Sequence, residues 1–135
     1  MFSACINEDY TITKDDILGT WNVVQVEVND NGASYVISQE DVLSDDALYH
    51  RVVIGECYVR FYNSDEETPY AYYYYGTALD NLYLYEIDDS LWEHPIIWKI
   101  DAFNDLVLVL TKVGEGYKIT YRFEKVLEEE TTDEN

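Results

Sequence analysis

Short stretches of alternating apolar and polar residues make up most of the chain, and turn signals separate them. The first stretch, 21–29, has Val24, Val26 and Val28 two residues apart with polar residues between them. A period of two predicts a strand with one buried face. Val23 has the opposite phase, so we expect a β-bulge or a bend near Val23 and Val24.

The sequence predicts an all-β fold of eight antiparallel strands with no long helix. The links between consecutive strands are mostly short, and Asp30-Asn31-Gly32 is a strong hairpin signal. An up-and-down β-barrel suits this order because closure removes exposed sheet edges. An open or flattened eight-stranded sandwich is the alternative. The predicted strands are 21–29, 33–37, 51–62, 70–75, 82–87, 96–103, 106–113 and 117–126.

A short helical turn is predicted just before the first strand. Thr13 has Asp16 three positions later, which is the capping-box pattern of a helix start. Only Ile17 and Leu18 follow before Gly19, so the helix has a single turn. We expect this turn to plug the floor of the barrel.

Three parts of the chain differ in composition. Residues 1–12 are predicted to form an N-terminal tether, 13–127 the barrel, and 128–135 an acidic, disordered tail. Within the barrel, the polar segment 38–50 is expected to hold a short helix around 45–49.

Charge and length exclude several classes of function. The 28 acids and 8 bases give a net charge of -20, which repels phosphates and excludes nucleic-acid binding. The 135 residues, 47% of them apolar, suit one folded domain, which we expect to be a monomer. No window reaches the roughly 20 apolar residues of a membrane-spanning helix.

The two cysteines have different settings. Cys57 falls within a predicted strand and is expected to be a buried free thiol. Phe2-Ser3-Ala4-Cys5 resembles the lipobox of bacterial lipoproteins, in which small residues precede a cysteine that becomes lipidated. The resemblance implies lipidation at Cys5, a location in the bacterial cell envelope, periplasmic or surface-exposed, and membrane contact through that anchor alone. A chance tetrapeptide is the alternative.

Both ends of the predicted barrel resemble lipocalins. Gly19-Thr20-Trp21 resembles the Gly-x-Trp signature that opens the barrel of lipocalins and the wider calycin group, and 120–126 resembles their closing strand. The resemblance implies an eight-stranded up-and-down barrel with a short N-terminal helical turn. It also implies structural roles for Gly19 and Trp21, and for a basic residue, here Arg122, that packs over the indole.

The closing strand differs from that of fatty-acid-binding proteins, which place an Arg and a Tyr two residues apart to hold a carboxylate. Tyr121 and Phe123 stand at those places, so that anion site is not reproduced. The chain more closely resembles lipocalin-like domains of bacterial envelope lipoproteins.

No catalytic motif is visible, and we expect neither an enzyme nor a cofactor. His50 and His94 stand outside any nucleophile, metal or phosphate motif and are expected at the surface. The acidic runs 65–67 and 86–89 have oxygen ligands for Ca²⁺, but they lack the spacing of a known loop. Solvated turns are the simpler interpretation, so no metal site is predicted.

Tyrosines are concentrated in the middle of the chain, where 70 and 72–75 are all Tyr. Their side chains alternate between the two faces of a strand, so some point outward whichever face is buried. They could pair across strands, line a cavity, or contact a protein or glycan. The candidate ligand-binding residues are Tyr73, Tyr75, Tyr83, Tyr85, Trp98, Tyr121 and Phe123.

Two functions follow from this pattern. The first is a lipocalin-like binding protein that holds a small neutral hydrophobic or mixed-polarity ligand in the barrel. The alternative is a solid-core protein or glycan interaction module on the cell surface. We expect a neutral ligand because the inward positions that can be assigned contain no base, and an unpaired buried carboxylate would cost several kcal/mol. These positions are Val24, Val26, Val28, Val59, Phe61, Ile96, Trp98, Ile100, Tyr117, Ile119, Tyr121 and Phe123.

Overall fold

The computed structural model describes residues 12–88 and 93–127, and within them it has nine strands and two short helices. The strands are β1 (Gly19–Asp30), β2 (Ala33–Ser38), β3 (Arg51–Ile54), β4 (Tyr58–Tyr62), β5 (Ala71–Ala78), β6 (Asn81–Tyr85), β7 (Ile96–Phe103), β8 (Val107–Gly114) and β9 (Tyr117–Lys125). The helices are α1 (Lys14–Ile17) and α2 (Gln39–Leu43).

Strand β1 closes the sheet into a barrel. Its first residues, 19–22, pair with β3, and residues 21–30 pair with β9. Strands β3 to β9 pair in chain order, and every pairing is antiparallel. The predicted eight-stranded barrel is therefore confirmed, and the sandwich alternative is wrong.

The barrel has eight strands as predicted, but they are not the eight strands that were predicted. A hairpin at 55–57, where the Gly55 N–H donates to the Tyr58 carbonyl at 2.9 Å, divides the predicted strand 51–62 into β3 and β4. Strand β2 pairs only with β1 among the described residues, so it lies outside the ring. Cys57 lies in the hairpin turn and is exposed, so the predicted buried thiol is wrong.

The predicted bulge in β1 is confirmed. Its register with β9 shifts between Val23 and Gln25, and Val23 and Val26 are both fully buried. Val24 is the extra residue and is only half-buried. The inward position predicted for Val24 is therefore occupied by Val23.

Helix α1 and Trp21 form the floor of the barrel. The Thr13 N–H donates to the Asp16 carboxylate at 2.9 Å, as expected for the predicted helix start. Ile17 is fully buried, and its carbonyl accepts the indole N–H of Trp21 at 3.0 Å. Trp21 is itself fully buried, so the helical turn plugs the barrel as predicted.

Lys125, not Arg122, packs over this indole. The Lys125 Nζ is 5.2 Å from the centre of the Trp21 ring. Arg122 is exposed on the outer face, where it pairs with Val109 of β8. Gly19 is needed at this contact, since its φ is 134° and a Cβ would lie 2.7 Å from the Lys125 Cε.

The second helix lies earlier than predicted. Ser38 caps α2 by accepting the Asp41 N–H, and Asp41 adds a negative charge in the first turn. Residues 45–49, where the helix was expected, instead lead across the other end of the barrel. No helix in the described part of the chain is long and apolar enough to cross a bilayer.

The predicted tether and tail fall mostly outside the described residues, and so does Cys5. Ile12, at the end of the predicted tether, is 5% exposed and packs into the core. Its N–H donates to the carbonyl of Leu79, in the turn between β5 and β6.

Candidate functional site

Aromatic rings fill the middle of the barrel. Phe61 on β4 stacks against Trp98 on β7 with ring centres 6.2 Å apart, and Trp98 meets Tyr121 on β9 at 5.8 Å. These three strands are not neighbours in the sheet, so the contacts cross the lumen. Rings at such distances are in packing contact. A ligand therefore cannot occupy this level of the barrel.

Burial decreases towards the end of the barrel opposite Trp21, which we call the mouth. The inward residues below it, such as Leu110 and Phe123, are at most 1% exposed. The inward residues at the mouth are half-buried. They are Val28, Ile96, Lys112 and Ile119.

Tyr49 covers one side of the mouth. Its ring stacks on Phe61 with centres 4.4 Å apart and lies 5.6 Å from Tyr121. Its N–H donates to the Tyr121 hydroxyl at 3.3 Å. Among the described residues, the half-buried inward positions at the mouth lie on β7, β8, β9 and β1, whereas Val52 of β3 and Phe61 of β4 are at most 1% exposed, so we call the former the open side.

Lys112 points into the open side. It alternates on β8 with Leu108 and Leu110, which are both buried, and it pairs with Ile119 of β9. Its Nζ lies 5.9 Å from the centre of the Trp98 ring. Within 12–88 and 93–127, no carboxylate forms an ion pair with it. The expectation of a site without any base is therefore wrong.

The hydroxyl of Tyr121 lies beside Tyr49, on the strand next to that of Lys112. It accepts the Tyr49 N–H, so its own proton can be donated. Burial raises the pKa of Tyr121, which keeps the hydroxyl protonated at neutral pH. Burial also raises the pKa of Tyr73, whose ring meets Phe61 at 6.0 Å inside the barrel.

Of the predicted ligand-binding residues, Tyr73, Trp98 and Tyr121 lie together at and just below the mouth. Tyr75 and Phe123 also point inward, but they lie deeper in the filled lumen. The Tyr75 hydroxyl donates to the Gly55 carbonyl at 2.5 Å, so it fastens the β3–β4 hairpin.

The prediction is wrong for Tyr83 and Tyr85, which point outward. Leu82 and Leu84 are buried and occupy the inward positions of β6, so the residues between them face solvent. Tyr85 pairs with Tyr74 of β5 on this outer face.

A second aromatic surface results, which we call the tyrosine face. Tyr58 and Tyr74 stack there with ring centres 5.1 Å apart, and Tyr58 lies 6.0 Å from Tyr72. The Arg60 guanidinium is 5.5 Å from the Tyr58 ring. The tyrosine face consists of Tyr58, Tyr72, Tyr74, Tyr83, Tyr85 and Ile97.

The histidines provide no second site. His50 is only 9% exposed, so its predicted surface position is wrong. Its carbonyl accepts the Val23 N–H, and its Nε2 lies 3.0 Å from the Asp45 carbonyl, which fixes the segment below Tyr49. His94 is exposed. In the described ranges, no group of three or more His, Cys, Asp or Glu is placed to hold a metal.

The chain matches no protein-family model, no curated protein and no solved structure. Function is therefore inferred from the closed barrel, its half-open mouth and the residues at that mouth.

Proposed function

We propose that this protein is a lipocalin-like binding protein that holds a small amphipathic molecule at the open side of its mouth. The apolar part of the ligand would lie against Val28, Ile96 and Ile119. Its polar head would meet Lys112. The observation that carries the proposal is the inward Lys112 ammonium above the Trp98 ring.

Packing of the lumen supports a ligand at the mouth. The contacts of Phe61, Trp98 and Tyr121 occupy the space below, and inserting extra groups into a packed core is destabilising. A short apolar segment that rests on Trp98 would cover the half-buried side chains around it. Each CH₂ group that this removes from water adds about 0.8 kcal/mol.

Charge supports an anionic head group, such as a carboxylate. Lys112 is half-buried in a chain of net charge -20, yet no described acid pairs with it. A carboxylate would supply the missing partner, and a hydrogen bond between charged groups contributes about 1.5–3 kcal/mol. The Tyr121 hydroxyl can donate a second hydrogen bond. The mixed-polarity ligand predicted from the sequence thus gains a negative charge.

The proposal also includes a non-catalytic role, a monomeric chain and lipidation at Cys5 in a bacterial envelope. Only the lipobox resemblance of Phe2-Ser3-Ala4-Cys5 supports the anchor. Mass spectrometry of the N-terminal peptide, purified from a bacterial host that lipidates its proteins, would test it. An unmodified Cys5 thiol would contradict it.

Calorimetric titration with octanoate and octanol tests the ligand site, since the two share a chain length and differ in charge. We expect octanoate to bind the wild-type protein at least tenfold more tightly. In Lys112→Met, which keeps the apolar stem, this preference should disappear. Lys118→Met is the matched control because Lys118 is an exposed base on the adjacent strand, and it should keep the preference.

Ligand binding should change the tryptophan fluorescence of the wild-type protein. Loss of that change in Trp98→Phe would place the ligand at Trp98. Equal affinity for acid and alcohol in the wild type, or an unchanged preference in Lys112→Met, would refute the charged site. Binding of neither ligand would refute the proposal as a whole.

A further inference from the structure

The tyrosine face differs in chemistry from the mouth, and its side chains point away from the lumen. Tyr58, Tyr74 and Tyr85 form one continuous row across β4, β5 and β6. Gly76, Tyr83 and Ile97 form the next row, across β5, β6 and β7. Gly76 has no side chain, and a Cβ built there meets nothing within 4 Å, so the surface has a shallow step between rows.

The rings are accessible from solvent. Tyr72 and Ile97 are each 49% exposed, and the other four members of the face are half-buried against one another. The stacked pair Tyr58 and Tyr74 has an interplanar angle of 25°, so its rings are close to parallel. This arrangement presents aromatic surface together with phenol groups.

Acidic residues are nearly absent from the strands that carry this face. Strands β3, β4, β5 and β6 contain no Asp or Glu, although the whole chain has 28. The single acid of β7 is Asp101, at its far end, where it hydrogen bonds to Thr111. Arg60 lies over Tyr58, and Glu86 and Asp88 line a groove with Tyr72 at the edge of the face. The six side chains of the tyrosine face are thus uncharged, and acids of this strongly anionic protein lie at its border.

We propose that the tyrosine face binds a neutral glycan, whose sugar rings stack on Tyr58, Tyr72 and Tyr74. The C–H faces of a sugar ring pack against aromatic rings, and its hydroxyls can pair with phenol groups and with the Arg60 guanidinium. Tyr combines apolar area with a polar tip and loses little conformational entropy on binding. These properties suit a ligand that is apolar on one face and hydroxylated at its edge.

Charge selects this partner over the alternatives. The net charge of -20 repels an acidic protein or polysaccharide as it approaches. A basic partner would be drawn to the acids in the loops, such as those at 65–67 and 86–88, which lie beside the rings and not on them. A second copy of the chain would bring another -20. A neutral polymer incurs none of these penalties.

Binding of the full chain to an array of neutral and acidic oligosaccharides, followed by titration of the best neutral ligand, tests the proposal. We expect signals on neutral glycans. Tyr72→Ala/Tyr74→Ala should weaken binding on the order of tenfold or more, because two stacking rings are lost. Tyr72→Phe/Tyr74→Phe keeps the rings and should stay within a few-fold of wild type. Tyr35→Ala is the matched control, since Tyr35 is an exposed strand tyrosine on β2 outside the face.

Circular dichroism would show that each variant is folded, and the single variant Tyr72→Ala offers a milder change at the most exposed ring. Absence of neutral-glycan binding, or binding that survives Tyr72→Ala/Tyr74→Ala, would overturn the proposal. Sedimentation that shows a dimer lost in the same variant would instead assign the face to self-association. The octanoate titration is independent of these outcomes, because its ligand meets Lys112 at the mouth.

Discussion

Substitution of Gly19 by Ala should destabilise the barrel through two separable effects. The φ of 134° at this position is unfavourable for any residue with a Cβ, which costs roughly 1–3 kcal/mol. The new Cβ would also lie 2.7 Å from the Lys125 Cε, so the lysine must move. Its ammonium would then lose the contact at 5.2 Å with the Trp21 ring, worth roughly 0.5–1 kcal/mol. We expect a total loss of about 1.5–4 kcal/mol in the free energy of unfolding.

Urea denaturation of five variants would separate these effects. Gly32→Ala has strain without contact, since its φ is 91° and a Cβ meets nothing within 4 Å. Gly76→Ala has neither strain nor contact and should be close to neutral. In a Lys125→Ala background, Gly19→Ala should cost only its strain, so the double-mutant cycle gives a coupling of roughly 0.5–1 kcal/mol. A Gly19→Ala loss that is the same with or without Lys125 would refute the role of the lysine.

Three further predictions concern the lumen, pH and salt. Phe61→Ala should cost about 3–5 kcal/mol in the free energy of unfolding and leave a cavity that binds benzene, which thermal unfolding with and without benzene would detect. Burial raises the pKa of Tyr75 from 10.0 to about 12. Between these pH values the tyrosine ionises in the unfolded chain before it does so in the folded one, so the free energy of unfolding should fall as pH rises. Tyr75→Phe should flatten that fall in urea titrations across the same range, and an unchanged slope would contradict the assignment. Refolding yield should decrease as salt is added, because salt screens the repulsion that keeps partly folded chains apart.

Most of the fold was predictable because its signals involve residues that are close together in the sequence. Alternation and turn signals identified most strands, and strand 96–103 was predicted with its observed bounds. The bulge in β1 was visible because Val23 and Val26 are out of phase. The hairpin at Gly55 was missed because a glycine inside a strand pattern indicates either a turn or a change of phase, and the sequence does not distinguish them.

The site was less predictable because it depends on which face of each strand points inward. Strand β8 is apolar at both phases from Val107 to Leu110, so its pattern does not reveal that Lys112 points into the mouth. The tyrosines of β5 alternate faces with similar chemistry on both sides, so their direction follows only from the register with Val59 and Leu84. Lys125 was missed as the partner of Trp21 because the closing strand carries two bases, Arg122 and Lys125. The sequence does not show which of them lies over the indole.

Closure between β1 and β9 also sets the order of events during synthesis. Trp21 pairs with Lys125, about a hundred residues later, so the ring cannot close until β9 has left the ribosome. Until then β1 has an unpaired edge, and the tyrosine-rich strands β4 to β6 are available to other nascent chains. Acids occur along the whole sequence, so negative charge accumulates as the chain is made and repels neighbouring chains during this interval. Acids that contribute little to the finished barrel can thus protect it while it is still open.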